Sequence, residues 1–318
     1  MNIVITDAQT VTNGDLDLSV FSRYGTVRTY PLTSYEETPE RIRDAEAVLL
    51  NKTVLDAAVL SGAPRLKYIG LFATGYNVVD VDYCREHGIT VCNAGSYSTD
   101  AVAQTVFAYL LSRFSQVDRY TRFVTGGGWV ASPTFSPFVF PTAELAGKTI
   151  GIIGYGTIGK NVAKIACAFR MRVLACPHRM PEQKTDGIAE FVPFRELLAQ
   201  SDVVTCHCPL TGETRGMFDA AAFGAMKQGA FFINTSRGGV LDEKALRDAL
   251  DSEHLSGAGV DVLNHEPMEP GNVLLGAPNL LITPHVAWAP LETRIRLLEI
   301  VEANLRNYLA GSPTNVIV

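Results

Sequence analysis

Three side chains with acid–base and anion-binding chemistry follow predicted strands in this 318-residue chain: Arg237, Glu266 and His285. Arg237 closes Thr235-Ser236-Arg237, directly after the apolar run Ala230–Asn234. Glu266 lies in His265-Glu266-Pro267, a few residues beyond Gly257–Asp261, and His285 follows Leu280–Thr283. A guanidinium holds a carboxylate through two parallel N–H bonds and polarises the carbonyl beside it. An imidazole donates a proton to a carbonyl oxygen as hydride reaches the carbon. A glutamate accepting from the other ring nitrogen fixes the tautomer and raises the histidine pKa, which favours the reductive direction. Each residue alone has a plainer reading: a surface arginine after a turn, a solvated loop acid, a histidine capping a strand. Gathered at three strand ends of one sheet, they suit reduction of a 2-keto acid.

The sheet that positions them begins at Thr149-Ile150-Gly151-Ile152-Ile153, which runs into Gly154-Tyr155-Gly156-Thr157-Ile158-Gly159. This is the sequence form of a strand, a tight glycine turn and a helix N-terminus, predicted over Asn161–Phe169 with Val162, Ile165, Ala166 and Phe169 at helical spacing. Such a turn lets backbone approach a pyrophosphate closely, and a helix N-terminus offers unpaired N–H groups. Further strands read at Arg172–Cys176, Asp202–Cys206, Ala230–Asn234, Gly257–Asp261 and Leu280–Thr283, with helices at Phe194–Gln200 and Glu243–Leu250. Repeated βα units imply a doubly wound parallel sheet whose ligands bind beyond the carboxyl ends of its strands.

The first hundred residues repeat the pattern without a glycine fingerprint, at Asn2–Thr6, Thr26–Tyr30, Ala47–Leu50, Tyr68–Leu71 and Ile89–Cys92. Ser98-Thr99-Asp100 offers an N-cap to a long apolar helix, Ala101–Phe114. Pro290 precedes an amphipathic helix, Leu291–Leu309, with Ile295, Leu298, Val301, Leu305 and Leu309 on one face. The expected organisation is two Rossmann-like α/β domains. A discontinuous domain of 1–98 plus 290–318 encloses a nucleotide-binding domain of 99–289, which carries an arm at 123–146. Within that arm, Trp129–Pro141 holds Phe135, Phe138 and Phe140 among three prolines and cannot form a helix or a central strand. It reads as an apolar arm that reaches a second subunit, or else packs on its own domain.

Composition bounds the function. A net charge of −6 without a Lys/Arg block argues against a nucleic-acid or membrane surface. No basic n-region opens the chain, and no uncharged segment free of proline and glycine is long enough to span a bilayer. The six cysteines read as buried thiols of a cytoplasmic, reducing compartment. Cys206-His207-Cys208 cannot converge on one metal, because neighbours on a strand point to opposite faces.

At these residues the chain resembles the D-isomer-specific 2-hydroxyacid dehydrogenase family. The likeness is carried by Gly154-Tyr155-Gly156-Thr157-Ile158-Gly159, His207-Cys208-Pro209-Leu210-Thr211, Asn234-Thr235-Ser236-Arg237-Gly238-Gly239, Asp261-Val262 with His265-Glu266-Pro267, and Thr283-Pro284-His285-Val286-Ala287. Leu71-Phe72-Ala73-Thr74-Gly75-Tyr76-Asn77 and Gly95–Gln104 look like its glycerate dehydrogenase, or hydroxypyruvate reductase, branch. The resemblance implies Arg237, Glu266 and His285 as catalytic residues, a homodimer, and closure of the domains around a small 2-keto or 2-hydroxy acid. It implies cofactor contacts at Thr105, Gly154, Gly156, Thr157, Ile158, Gly159, His178, Arg179, His207, Pro209, Thr214, Thr235, Ser236, Asp261 and Ala287. Substrate contacts are implied at Asn51, Ala73, Thr74 and Gly75, besides Arg237 and His285; Asn51-Lys52-Thr53 resembles a loop on the same wall.

One departure bears on the cofactor. The family's usual acid after the second strand would bind the adenosine ribose, yet no Asp or Glu occurs from Lys160 through Pro181, and the place reads Cys176-Pro177-His178-Arg179. An acid repels a 2′-phosphate and an arginine binds one, so the cofactor is NAD(P), with NAD and NADP both open. Other readings of the fold are a nucleotide-sensing protein of the C-terminal binding protein type and a phosphite or formate dehydrogenase. Glu266 stands where formate dehydrogenase has Gln, which disfavours formate.

Overall fold

Strands rich in Val, Ile, Leu and Phe with no polar alternation must be covered on both faces, and the central strands of both sheets here are of this kind. In the computed structural model, which describes residues 1–318, the chain forms two compact units, Met1–Ser98 with Ala289–Val318, and Thr99–Trp288. The first unit opens with β1 (Asn2–Ile5), β2 (Thr26–Thr29), α1 (Thr38–Ile42), β3 (Ala47–Leu50), α2 (Ala57–Ser61), β4 (Tyr68–Leu71), α3 (Val81–Glu86) and β5 (Thr90–Cys92). Its sheet is parallel throughout, in the order β2-β1-β3-β4-β5.

The second unit runs through α4 (Thr99–Ser115), α5 (Val117–Thr125), β6 (Thr149–Ile153), α6 (Thr157–Ala168), β7 (Arg172–Cys176), β8 (Glu190–Phe191), α7 (Phe194–Gln200) and β9 (Val203–Cys206). It continues with α8 (Ala220–Gly224), β10 (Ala230–Asn234), α9 (Glu243–Asp251), β11 (Leu255–Val260) and β12 (Leu280–Ile282). Its parallel sheet has the order β12-β11-β10-β9-β6-β7-β8. The direction of winding reverses at β6, so the switch point lies between β6 and β9. Every residue of β6 and β10 is buried, as strands between two helical layers must be.

Several local expectations are corrected. The helix after the glycine turn begins at Thr157 rather than Asn161, because the turn leads straight into helical backbone. Thr99 and Asp100, expected as caps, are already inside α4. The two-residue edge strand β8 and the five-residue helix α8 carry too little pattern to be read from sequence, and the amphipathic α5 is not among the expected helices. Cys167 is exposed, not buried, because it lies on the outer face of α6.

The chain returns to the first unit through α10 (Leu291–Leu309). Its buried face is Thr293, Leu297, Leu298, Val301, Asn304 and Leu305. Ile295 and Leu309, expected on that face, are 42% and 47% exposed. The face is displaced because Asn304 goes inside with its amide satisfied. Nδ2 donates to the Asn93 carbonyl at 2.8 Å, and Oδ1 accepts from Thr314 and Asn315 at 3.0 and 2.9 Å.

The segment 129–141 has no helix or regular strand, and its aromatics divide in two. Phe140 packs on α5, edge-on to Tyr120 with Arg119 above its ring. Phe135 and Phe138 project outward, 90% and 91% exposed.

Candidate active site

The three fingerprint glycines have different reasons to be glycine. Gly154 has φ +87°, and a Cβ there would lie 2.5 Å from the Cys208 amide nitrogen. The β6 turn is thus pressed against the loop that leaves β9. At Gly159 a Cβ would lie 2.4 Å from the Gly154 carbonyl oxygen, so only glycine lets α6 seat on the turn. A Cβ at Gly156 would meet nothing of the protein within 4 Å. That open space sits where α6 starts, beside first-turn amides that no α-helix satisfies internally. Open space beside a helix N-terminus suits a dinucleotide pyrophosphate. Thr157 and Ile158 supply the first turn, and Thr105 on α4 bonds back to the Ala101 carbonyl at 3.1 Å.

Beyond β7, His178 and Arg179 are both exposed. A carboxylate does reach this place from elsewhere: Glu213 Oε2 lies 4.0 Å from His178 Nδ1. It belongs to the loop after β9, which is why the sequence window behind β7 did not show it. That loop is closed on itself, with Thr214 Oγ1 donating to the Pro209 carbonyl at 2.6 Å. His207, at its start, has Nε2 3.0 Å from Thr205 Oγ1 and Nδ1 3.4 Å from Thr235 Oγ1. Burial pushes its pKa down to about 3, so the ring is neutral.

Beyond β10, buried Asn234 folds the turn that presents Arg237. Its Oδ1 accepts from Ser236 N at 3.0 Å and Ser236 Oγ at 2.8 Å, and its Nδ2 donates to the Arg237 carbonyl at 2.9 Å. Arg237 is half-buried, and Nη1 donates to the Ser236 carbonyl at 2.7 Å. A Cβ on Gly238 would lie 1.8 Å from the Leu263 carbonyl carbon, so the Arg237 turn and the Glu266 loop touch backbone to backbone. Glu266 Oε1 accepts from Leu263 N at 3.0 Å, and Oε2 lies 2.7 Å from His285 Nδ1. His285 itself has φ +55°, a left-handed conformation uncommon outside glycine. Its Nε2 makes no hydrogen bond within the protein.

Asp261 stands behind this turn. Its carboxylate accepts from Val286 N and Ala287 N, both at 2.9 Å, and from Thr283 Oγ1 at 2.5 Å. Burial holds its pKa above the usual carboxylate range, while those donors and the His285 ring draw it down. The structure thus spends Asp261 and the Ala287 amide on shaping the histidine turn.

In the first unit, the amides of Ala73, Thr74 and Gly75 meet no acceptor of the protein. The loop is pinned instead by its oxygens: the Ala73 carbonyl accepts from Ala94 N at 2.9 Å, the Thr74 carbonyl from Asn93 Nδ2 at 2.7 Å, and Thr74 Oγ1 donates to the Gly95 carbonyl. Asn51 is buried, with Nδ2 on the Thr10 carbonyl and hydroxyl at 3.3 and 3.1 Å, so its side chain serves the loop's shape. The residue that sequence reasoning missed here is Asp7. Its carboxylate accepts from the amides of Asn51, Lys52 and Thr53 at 2.9, 2.6 and 2.9 Å. A lone Asp after a first strand carries no visible signal of that role.

Residues 107–287 match the model of the D-isomer specific 2-hydroxyacid dehydrogenase, NAD binding domain. The chain belongs to this family. A hydroxypyruvate reductase of Blautia hydrogenotrophica is 41% identical over 321 residues, covering 100% of this chain and 99% of that protein. A glycerate dehydrogenase of Methylorubrum extorquens is 41% identical over 284 residues, covering 89% and 88%. Among solved structures, an acyclic imino acid reductase in complex with NADPH and D-Arg superposes with a TM-score of 0.86 at 30% identity, over 100% of both chains. As a D-2-hydroxyacid dehydrogenase the chain is an oxidoreductase that uses a nicotinamide dinucleotide, and its two parallel sheets are the family's fold. No helix is long and apolar enough to cross a membrane.

Proposed function

We propose that this dehydrogenase reduces hydroxypyruvate to D-glycerate, and glyoxylate to glycolate, and runs the reverse oxidation. The observation that carries the reading is the 2.7 Å pairing of His285 Nδ1 with Glu266 Oε2, which leaves Nε2 as an unengaged proton donor. That donor stands at the carboxyl end of a sheet whose switch point carries the glycine cradle. In this reading Arg237 takes the substrate carboxylate and polarises the 2-keto group, and the open amides of Ala73, Thr74 and Gly75 give the first unit an anion-binding loop of its own. His285 gives its Nε2 proton to the keto oxygen, and Glu266 steadies the resulting change of charge on the ring. The bound dinucleotide supplies hydride to the substrate's second carbon. Gly154, Gly156 and the first turn of α6 would hold its pyrophosphate, and Thr235, Ser236, His207 and Pro209 would hold the rest of the dinucleotide.

Both dinucleotides are admitted in this reading. Arg179 favours a 2′-phosphate, and Glu213 beside His178 favours a free ribose hydroxyl. Two further features complete the proposal. Outward Phe135 and Phe138 suit burial against a second copy in a homodimer. Six cysteines without a disulfide suit a reducing, cytoplasmic setting.

The test is a set of initial rates with hydroxypyruvate, glyoxylate and pyruvate, each with NADH and NADPH. Hydroxypyruvate should give the highest kcat/KM, and Arg179→Ala should cost NADPH roughly tenfold while leaving NADH nearly unchanged. A preference for pyruvate overturns the substrate assignment. Equal losses with both cofactors overturn the role of Arg179.

A further inference from the structure

The left-handed turn at His285 is held from behind by groups that never face the reaction. Its own amide donates to the Asp261 carbonyl at 2.7 Å and the Thr283 carbonyl at 3.0 Å. The next two amides donate to the Asp261 carboxylate. Thr283 gives its single hydroxyl proton to Asp261 Oδ1, so its oxygen is left to accept. It accepts from Tyr109, a buried residue of α4 whose one hydroxyl proton is shared between Thr283 Oγ1 and the Val260 carbonyl, the latter at 3.1 Å. The ring is fixed as well: it lies on Gly259, where a Cβ would come within 2.6 Å of Tyr109 Cγ. Burial raises the Tyr109 pKa to about 12, so it is a proton donor throughout the working range.

We infer that Tyr109 is a positioning residue for His285: its hydroxyl commits the Thr283 proton to Asp261, which holds the carboxylate on the amides that shape the histidine turn. The chain of bonds runs Tyr109 to Thr283 to Asp261 to the 285–287 backbone, entirely within the second unit. A carboxylate serves both amides and the threonine as an acceptor, whereas a protonated one carries its own donor and competes with them. The titratable groups facing Asp261 are Tyr109 from α4 and His285 from its own turn, with Glu266 beyond the histidine. Losing the Tyr109 hydroxyl weakens the Thr283 bond, because linked hydrogen bonds polarise one another. Asp261 then protonates at higher pH, and the turn loosens there.

The inference rests on the reading of His285 as proton donor, and its test separates the two. The variants are Tyr109→Phe, Thr283→Val and Thr283→Ser, each compared with the unaltered enzyme reducing hydroxypyruvate. Tyr109→Phe keeps the ring, and the Val260 carbonyl keeps its bond from the Thr283 amide, so the fold should survive with little change in melting temperature. It should lower kcat about tenfold with KM for hydroxypyruvate changed less than twofold, since displacement of a catalytic group costs turnover first. The acid limb of the kcat profile should move to higher pH. Thr283→Val should do the same more strongly, and Thr283→Ser should restore the hydroxyl and the profile. Loss of melting temperature with kcat and profile unchanged would make Tyr109 a packing residue only and overturn the inference, as would a fall in kcat that the profile does not share. An unaltered enzyme that does not turn over keto acids would instead overturn the role of His285. In that case the NMR resonance of the His285 ring C–H proton, recorded without cofactor, still decides the network, and should move in Tyr109→Phe as the turn loosens. A resonance unmoved in Tyr109→Phe contradicts it.

Discussion

In the proposed mechanism the chemistry turns on His285, because its ring is half engaged. Nδ1 is tied to Glu266 and Nε2 is free, so proton transfer has one direction to go. Replacing His285 by Ala should lower kcat for reduction by about 10²–10⁴-fold, the range for a lost general acid, with the fold intact by circular dichroism. Glu266→Gln should keep a hydrogen bond to the ring but lose the carboxylate facing it. Reduction should then slow by about tenfold or more with the fold intact, and an unchanged rate contradicts the pairing. These residues were legible because Arg237, Glu266 and His285 each stand within a few positions of a strand end, where a parallel sheet gathers its ligands. Asn234, Asp7 and Tyr109 were not. Their contacts depend on how loops fold back in three dimensions, and a buried Asn, Asp or Tyr inside an apolar pattern reads as an ordinary strand or helix residue.

At the scale of elements, the glycine turn separates binding from folding. A Cβ at Gly156 enters open space, so Gly156→Ala should leave the melting temperature within a few degrees while weakening dinucleotide binding by more than tenfold, read by quenching of protein fluorescence. A Cβ at Gly159 collides with the Gly154 carbonyl, so Gly159→Ala should also cost about 1–3 kcal/mol of stability in denaturant unfolding. Equal stability losses in the two would contradict this division. The long elements were readable: β6, β7, β10, α7 and α10 have the bounds that their apolar patterns predict. Helices of five residues and a two-residue edge strand were not, because so few turns or pairs leave no period to detect. The displaced face of α10 has a different cause. Asn304 is buried by bonds to Asn93, Thr314 and Asn315, which lie far from it in sequence or beyond the helix.

For the whole molecule, the outward aromatics of the 129–141 segment call for a partner, with Phe135 and Phe138 almost fully exposed. If they are covered by a second copy, sedimentation should show a dimer, and Phe135→Ser with Phe138→Ser should shift it toward monomer. A monomer at every concentration contradicts that reading. The proposed chemistry is that a 2-keto acid is reduced at its second carbon, on one face, with the proton from His285. The most direct measurement follows NAD(P)H oxidation with hydroxypyruvate and resolves the glycerate formed on a chiral column. The account predicts one D-glycerate for each NAD(P)H consumed, and loss of both signals together in His285→Ala. L-glycerate, a racemic product, or consumption of NAD(P)H without glycerate would contradict it.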